Sequence, residues 1–385
     1  MITLFENKSE CCGCSACSAV CPKNAITMTA DEKGFLYPSV DESKCVECGM
    51  CKGVCPVQND FSAEKYTQKT YALKNADEKE RKSSSSGGVF IELARAALNK
   101  GGVVYGAAFT EDLKVRHIRA TTAEELERLK TSKYVQSDMN NIYRLVKADL
   151  VSGIPVLFSG TGCQVQGLKK FLKKPYTNLF CVDLACHGVP SQKVFDDYLS
   201  RMEKKYKSKA VSVNFRGKAI KNQILDILIH FENGKVYSAI NTHDSYYTFF
   251  SNGYMLRESC YECKFASCQR TGDISIADFW GIEKAAPEFA DRKGISLLIT
   301  NTLKGEQLFS EVSSAFRVLE TPFELSTKQQ ALNYPCKKHP KYTRFWEIYL
   351  SKGFDACAKK LYSMPKLRYF VKRVNLKLKK ILKIQ

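Results

Sequence analysis

Apolar and polar positions between residues 89 and 184 follow two different periods, which predicts an α/β unit. Apolar residues at helical spacing predict helices over 89–99 and 164–172. Short apolar runs at 103–109, 154–158 and 179–184 predict buried strands. Because the second helix lies between two of these strands, we expect at least one parallel βαβ element.

Beyond residue 208 the pattern changes to strands at closer spacing. Apolar or alternating runs at 210–215, 224–231 and 235–240 predict three strands. Asn233-Gly234 separates the last two runs and is typical of a tight hairpin turn. This part of the chain is therefore expected to be mixed or antiparallel sheet.

The chain divides into four parts on these patterns. A cysteine-rich start is followed by a polar stretch at 59–69 that is typical of a linker. The fold class is α+β, with a small N-terminal domain and a larger mixed α/β body. We place the boundaries at 1–60, 70–150, 151–345 and 346–385.

The last part predicts a basic amphipathic helix. Apolar residues from Leu367 to Leu382 fall at helical spacing, and the segment 363–385 holds eight Lys or Arg and no acid. Such a helix binds an anionic membrane surface or an acidic partner. It is equally typical of a terminal helix packed on the body by its apolar face, so both interpretations stay open.

Composition and the N-terminal sequence indicate the cellular compartment of the protein. The 385 residues carry a formal net charge of +19 and include 17 cysteines. The start lacks a basic segment followed by a long apolar run, and no stretch has the 18 apolar residues that span a bilayer. We expect a cytoplasmic protein, at the inner membrane face if the tail binds lipid. Nucleic acid is not expected as a partner, because no recognition module accompanies the charge.

Eight cysteines form a doubled motif. The spacing C-x2-C-x2-C-x3-C-P occurs twice, at Cys11, Cys14, Cys17 and Cys21 and again at Cys45, Cys48, Cys51 and Cys55. This run is the signature of bacterial ferredoxins with two [4Fe-4S] clusters, where the last Cys of each run ligates the other cluster. One cluster is thus assigned to Cys11, Cys14, Cys17 and Cys55, and the other to Cys45, Cys48, Cys51 and Cys21. Zinc or disulfides do not explain a twofold repeat of three spacings, and Cys12 is interpreted as a bystander.

Five further motifs carry a resemblance to a known family. They are SSSGGVF (83–90, with the preceding Ser), SKYVQS (132–137), VLFSGTGCQVQGL (156–168), DLACHGVPS (183–191) and CYECKF with GDISIADFWG (260–265 and 272–281). Together they are similar to the β-subunit family of coenzyme F420-reducing hydrogenase and F420-dependent dehydrogenases. The resemblance implies a flavin-binding body with an FAD and an additional iron-sulfur cluster.

Candidate ligands for this third cluster lie in three loops. Cys163, Cys186, Cys260 and Cys263 each stand beside a Gly or a polar turn. Cys268 is a rival for the fourth position, and Cys163 is preferred because it falls on the G-T-x-C-Q motif of the family. The family usually has Pro before that Cys, and here the residue is Gly162. Buried free thiols are the alternative interpretation.

The flavin is expected at one of two turns that precede helices, where backbone amides bind phosphate. These are Ser85-Ser86-Gly87-Gly88 and Gly160-Thr161-Gly162, and neither matches G-x-G-x-x-G. On the resemblance, Ser132, Lys133, Tyr134 and Gln164 are further candidates to contact it. Lys133 is expected to pair with phosphate or with a reduced, anionic flavin. His187 is the candidate for proton transfer, since His titrates nearest neutral pH.

The leading hypothesis is therefore an iron-sulfur flavoprotein oxidoreductase. Electrons pass between the two ferredoxin clusters, a third cluster and FAD, and leave to, or arrive from, an organic substrate. A sugar-linked or isoprenoid-linked acceptor in a surface polysaccharide pathway would suit the basic tail. The resemblance to the family is not taken to imply that F420 is the acceptor in this protein. The alternative is an electron-delivery subunit that docks on a separate enzyme, with a ferredoxin or a catalytic subunit as redox partner.

Overall fold

Strands in the computed structural model of the protein, which describes residues 2–61, 65–220 and 225–363, form three sheets. The strands are β1 (Ile26–Ala30), β2 (Leu36–Val40), β3 (Lys69–Asn75), β4 (Val103–Phe109), β5 (Val115–Ala120), β6 (Val156–Thr161), β7 (Leu179–Leu184), β8 (Ala210–Asn214), β9 (Asp226–Phe231), β10 (Val236–Ile240), β11 (Ile274–Asp278), β12 (Ser296–Thr300) and β13 (Phe316–Thr321).

Helices pack against both faces of the largest sheet. They are α1 (Ala16–Val20), α2 (Met50–Gly53), α3 (Glu78–Ser83), α4 (Val89–Asn99), α5 (Ala123–Leu129), α6 (Ile142–Val151), α7 (Gly162–Leu172), α8 (Gln192–Tyr206), α9 (Ser245–Ser251), α10 (Ile282–Ala285), α11 (Leu303–Val312), α12 (Phe323–Ser326) and α13 (Tyr342–Leu361). The expected α+β arrangement, a small N-terminal domain before a larger mixed α/β body, is confirmed.

The largest sheet has eight strands in the order β13-β3-β12-β11-β7-β6-β4-β5. Four consecutive strands of this order, β11, β7, β6 and β4, pair in parallel. The unit β6-α7-β7 is the predicted βαβ element. β6 and β12 are buried along almost their whole length, as expected for strands covered on both faces.

The direction of the strands decides where the loops meet. β3 is antiparallel to β12, and β12 is antiparallel to β11. β3 therefore runs in the same direction as the four parallel strands β11, β7, β6 and β4. The carboxyl ends of these five strands therefore lie at one edge of the sheet. Ligands bind at this edge in parallel α/β sheets.

The first sixty residues are packed into the body. β1 and β2 form an antiparallel hairpin, and Phe35 and Tyr37 from it enter an aromatic core shared with α8, α9 and α13. On the other side, Cys14 and Ala16 enter the core formed by α6 and α7. The N-terminal domain is thus held between two hydrophobic cores of the larger one.

The C-terminal segment is described only as far as residue 363. Trp346, Tyr349, Phe354 and Cys357 of α13 are buried in the aromatic core, so this part of the predicted segment 346–385 packs on the body. α13 bends at Gly353, whose φ of 72° is not helical. The predicted basic amphipathic helix lies outside the described residues. Among the helices that are described, none is both long and apolar enough to cross a membrane.

A buried ion pair connects β7, β11 and the loop between residues 263 and 273. Asp183, at 0% exposure, accepts hydrogen bonds from the Arg270 guanidinium (3.0 Å) and from the backbone N–H groups of Thr271 (2.9 Å) and Gly272 (3.0 Å). The Ser275 hydroxyl donates to the same carboxylate. These donors stabilise the charged form and hold the pKa of Asp183 below its usual value against the opposing effect of burial.

Replacement of Asp183 should destabilise the protein strongly. Asp183→Ala leaves the Arg270 charge buried without a partner, which costs about 3–5 kcal/mol. Asp355→Ala, which removes a partly exposed partner of Arg201, is the matched control and should cost less than about 1 kcal/mol. Anaerobic urea unfolding measures both. Equal midpoints for the two variants would contradict the structural role of Asp183.

Candidate redox site

The second cysteine run gathers with the last cysteine of the first run. Cys21, Cys45, Cys48 and Cys51 line one small hollow beside β1. Cys48 is exposed, and its neighbour Val46 is 58% exposed. This group of four, which we call the outer group, therefore reaches the protein surface.

The first run gathers with Cys55 in the same way. Cys55 lies close enough to Cys11 and Cys17 to interact electrostatically with both thiols. Cys14 is buried against α7, where a Cβ added at Gly167 would lie 3.1 Å from the Cys14 sulfur. Only a glycine at this position of α7 permits that approach. We call Cys11, Cys14, Cys17 and Cys55 the inner group.

A third group forms at the carboxyl ends of β6 and β7. Cys163 is in the first turn of α7, Cys186 follows β7, and Cys260 and Cys263 belong to the turn at Glu258–Glu262 or follow it directly. Burial raises the pKa of the Cys186, Cys260 and Cys263 thiols, and proximity to other members of the group raises each of them further. A hydrogen bond with the Cys12 thiol, together with burial, raises the pKa of Cys163. Metal coordination has the opposite effect and deprotonates a thiol outright.

The rival fourth ligand lies elsewhere. The Cys268 thiol donates to the backbone carbonyl of Leu332 at 3.0 Å and is associated with a separate hydrophobic cluster. Cys163 is therefore the cysteine that shares the site with Cys186, Cys260 and Cys263. In the described part of the chain, no three His, Cys, Asp or Glu side chains lie close enough to hold a single metal ion.

Cys12 has a position that the sequence did not indicate. Its thiol contacts both Cys14 of the inner group and Cys163 of the third group. It also lies on the wall of the large cavity described next. The spacing pattern assigns Cys12 to no cluster, and only the docking of the N-terminal domain on α7 brings it to this junction.

A cavity of about 630 Å³ opens at the carboxyl-end edge of the sheet. This volume lies in the range of cofactor-binding pockets. The third cysteine group lines it together with all but one of the residues predicted for the flavin or for proton transfer: Ser85, Ser86, Gly88, Ser132, Lys133, Tyr134, Gly160, Thr161, Gln164 and His187. Gly87 is the exception, because it lies behind the wall and its N–H donates to the Ser296 hydroxyl at 2.8 Å.

The two predicted phosphate-binding turns differ in what their amides do. The Gln164 side chain accepts from the Thr161 N–H at 3.0 Å, so the start of α7 is capped by its own residues. No side chain caps the start of α4, whose first residues line the cavity. The free amides of a helix start attract anions. The turn before α4 is thus the better phosphate site of the two.

Ser85 and Ser132 connect the two loops beside this helix start. The Ser85 hydroxyl accepts from the Ser132 N–H at 2.7 Å. The next side chain, Ser86, donates to the Ile295 carbonyl at 2.9 Å. The first bond holds the loop before α4 against the loop that contains Lys133, and the second holds it against the residue before β12.

A buried histidine on β5 orders the cavity floor. The Nε2 atom of His117 lies 3.0 Å from the Ser159 carbonyl, which only accepts, so Nε2 carries the proton and Nδ1 accepts from the Ser137 hydroxyl. Ser137 in turn accepts from the Gln164 amide at 2.9 Å. Burial lowers the pKa of His117 to about 4, so the ring is neutral at pH 7. All polar atoms of Gln164 are bonded within the protein in this network.

The two predicted catalytic side chains lie at different places on the wall. The Lys133 ammonium donates to the carbonyls of Arg128 (2.9 Å) and Lys130 (2.6 Å), and desolvation lowers its pKa to about 7. His187 Nε2 lies 3.4 Å from the Cys336 sulfur, and its ring meets Phe250 edge-on.

An aromatic and ionic wall completes the cavity. The Tyr134 ring stacks on Phe250 with centroids 4.6 Å apart, and its hydroxyl accepts from Arg216 at 3.3 Å. Arg216 also binds both oxygens of Asp278, at the end of β11, at 2.8 Å. The hydroxyl of Tyr247, on the same wall, is buried. The sequence did not single out Arg216 or Tyr247.

Comparisons with known proteins agree with the resemblance. Two family models described as coenzyme F420 hydrogenase/dehydrogenase, beta subunit, match the chain: the N-terminal model over residues 70–144 and the C-terminal model over residues 155–324. A model described as a 4Fe-4S dicluster domain matches residues 10–59. No protein with a curated description matches.

The solved structures that are similar to this protein include a chain of the F420-reducing [NiFe] hydrogenase complex from Methanosarcina barkeri, studied by xenon derivatization. It shares 18% identity with this protein, and the match covers 70% of this chain and 93% of that one, with a TM-score of 0.45.

The two beta-subunit models together cover well over half of the sequence, and the third accounts for the doubled cysteine motif. The chain therefore belongs to the coenzyme F420 hydrogenase/dehydrogenase beta-subunit family, with a 4Fe-4S dicluster domain at residues 10–59.

Proposed function

We propose that the protein is an iron-sulfur flavoprotein oxidoreductase that moves electrons between its surface and an organic substrate in the cavity. The observation that carries the proposal is the order of the three cysteine groups. The outer group reaches the surface, the inner group packs against α7 through the buried Cys14, and the third group lines the cavity. Cys12 lies between the inner group and the third group. This is the order that an electron relay requires.

The residues of the third group fit an iron-sulfur cluster. Cys163, Cys186, Cys260 and Cys263 are free thiols from three segments of the chain, and each is within electrostatic reach of at least one other. Four cysteines are the usual ligand set of a [4Fe-4S] cluster. A cluster held there would pass single electrons between the inner group and the cavity.

The cavity fits a flavin dinucleotide. Its volume of about 630 Å³ suits a cofactor of that size class. Ser85, Gly88 and the uncapped start of α4 would hold the pyrophosphate, and the stacked pair of Tyr134 and Phe250 would present an aromatic surface to a planar group. Bound FAD would supply the conversion between single electrons and hydride equivalents.

The chain's own side chains bind, orient and carry protons. The His117–Ser137–Gln164 network holds the first turn of α7, which contains Cys163. Lys133 holds a proton at Nζ that dissociates near neutral pH. His187 is the second candidate for proton transfer.

A redox partner is proposed at the outer group. Val46 and Cys48 form an exposed apolar and thiol surface, where a ferredoxin or a catalytic subunit would exchange electrons over a short distance. This contact serves both the enzyme and the alternative of an electron-delivery subunit. Turnover of the isolated chain with a reduced dye separates the two, because only the enzyme reduces a substrate alone.

Iron and flavin content test the proposal directly. Three [4Fe-4S] clusters predict about twelve irons per chain, together with about one flavin, after anaerobic purification. Cys186→Ala and Cys260→Ala should each lose about four irons. Cys268→Ala is the matched control and should lose none, because its thiol bonds to Leu332. Eight irons in the unaltered protein would contradict the third cluster.

A charge placed beside the start of α4 should weaken FAD binding. Ser85→Asp puts a carboxylate next to the proposed pyrophosphate position, whereas Ser85→Asn has nearly the same shape and no charge. We expect the dissociation constant of FAD to rise about tenfold more for Asp than for Asn, since tenfold corresponds to only about 1.4 kcal/mol. Titration monitored by flavin fluorescence measures both, and equal constants would place the pyrophosphate elsewhere.

The affinity for FAD should fall as the pH rises through 7. Burial sets the pKa of Lys133 at about 7, so its positive charge is present at pH 6 and largely lost at pH 8. The loss removes an attraction for the cofactor phosphates. Lys133→Met should flatten this dependence, and Lys79→Met, an exposed lysine of α3, should not. A slope unchanged in Lys133→Met would exclude its contact with the anion.

A further inference from the structure

Arg257 is the largest side chain that is fully buried in the described residues, with 0% exposure. It stands three residues before Cys260, and its backbone N–H donates to the Val189 carbonyl, three residues after Cys186. Its side chain extends away from the third cysteine group toward the inner group. A buried charge is costly unless a partner compensates it, so its surroundings are informative.

The guanidinium contacts the first cysteine of the inner group. Nε donates to the Cys11 carbonyl at 2.7 Å, and Nη2 lies 3.5 Å from the Cys11 sulfur. The other donors reach the Leu36 carbonyl (3.0 Å) and the Gln136 side chain (3.2 Å). The Tyr37 ring lies 4.1 Å from the guanidinium carbon.

The backbone is shaped for this contact. A Cβ added at Gly13 would lie 2.8 Å from both Arg257 Nη1 and Gln136 Nε2. Gly13 also has φ +69°, a conformation that L side chains rarely adopt. The loop that holds Cys11 and Cys14 thus closes directly onto the guanidinium.

The other buried arginines have carboxylate partners. Arg81 pairs with Asp291, Arg216 with Asp278, and Arg270 with Asp183. For Arg257 no such pair is found among the described residues, and its strongest electrostatic partners are Cys11, Tyr37, Cys12 and Cys260. Its hydrogen-bond acceptors are neutral carbonyls and an amide.

We propose that Arg257 is a positioning residue whose charge is balanced by the iron-sulfur clusters themselves and raises the reduction potential of the cluster held by Cys11. A cluster with four thiolates carries negative charge, which increases by one on reduction. A fixed cation beside Cys11 therefore stabilises the reduced form. Nearby charge and hydrogen bonds to the sulfurs are established determinants of cluster potential.

The consequence is directional. The charge of Arg257 stabilises an electron on the inner cluster more than one on the outer cluster, because the guanidinium lies beside Cys11 of the inner group. An electron that enters at Cys48 is thus favoured to move inward, toward Cys12 and Cys163. The inference on the Cys11 cluster depends only on the dicluster domain and stands without the third cluster or FAD.

EPR-monitored redox titration of the purified full-length chain tests the role of the charge. Arg257→Met should lower the ratio of reduced to oxidised inner cluster at fixed ambient potential about tenfold, equal to 59 mV for one electron. At least one other reduction step, that of the outer cluster, should stay unchanged. Arg257→Lys keeps the charge and should restore most of the potential.

Two further variants separate charge from packing. Gln136→Glu places a carboxylate beside the intact guanidinium and should shift the same step downward, which keeps the test available if Arg257→Met does not assemble its clusters. Lys193→Met removes an exposed cation of α8 that bonds the Glu32 carbonyl of the N-terminal domain at 2.8 Å. This variant should leave every reduction step unchanged. Unchanged steps in Gln136→Glu, or equal shifts in Arg257→Met and Arg257→Lys, would overturn the proposal. Iron content of each variant shows separately whether the third cluster is present.

Discussion

The common direction of β3, β4, β6, β7 and β11 is the constraint on which the rest of the structure depends. Strands that run the same way end at the same edge, so the segments that follow them meet there. Cys163, Cys186 and the serines before α4 come from three such segments and share one cavity. Nothing in the local sequence of any one segment would bring it to the others.

Buried polar groups then hold these segments in place. Asp183 accepts bonds from Arg270 and two backbone amides, and so fixes the end of β7 against the loop that follows Cys263. On the other side, His117, Ser137 and Gln164 fix the first turn of α7. Each group in these networks has a partner, which is the condition under which buried polar groups rigidify a site rather than weaken it. These hydrogen bonds help to position the segments that carry the cysteines.

The N-terminal domain is fitted into this frame rather than attached by a linker alone. Phe35 and Tyr37 enter the aromatic core, Cys14 packs against Gly167, and Arg257 bonds the Cys11 carbonyl. Electron transfer depends on short distances between centres that do not move. A domain held between two cores meets that condition, and Cys48 at its other end is exposed.

For the first three cysteines of each ferredoxin run, the expectation that they gather rests on the sequence alone, because their geometry is local. A tight loop with Cys at every third position presents three thiolates to one cluster whatever surrounds it. The same holds for β7 and α4, whose bounds follow from periodicity, and for the strand, helix and strand of the βαβ element. The family was predictable too, since its motifs are short and ordered along the chain.

The tertiary structure alone decided how these parts act together. It brought Cys12 to Cys163 and placed the Cys268 thiol against Leu332. It bonded the Gln164 side-chain amide to the Ser137 hydroxyl. It also left the start of α4 uncapped at the cavity and buried Arg257 beside Cys11. Most of these contacts join residues well separated along the chain, as Arg257 and Cys11 are. Periodicity and spacing describe neighbours in sequence, whereas such pairs are set by how the sheet, helices and N-terminal domain pack against one another.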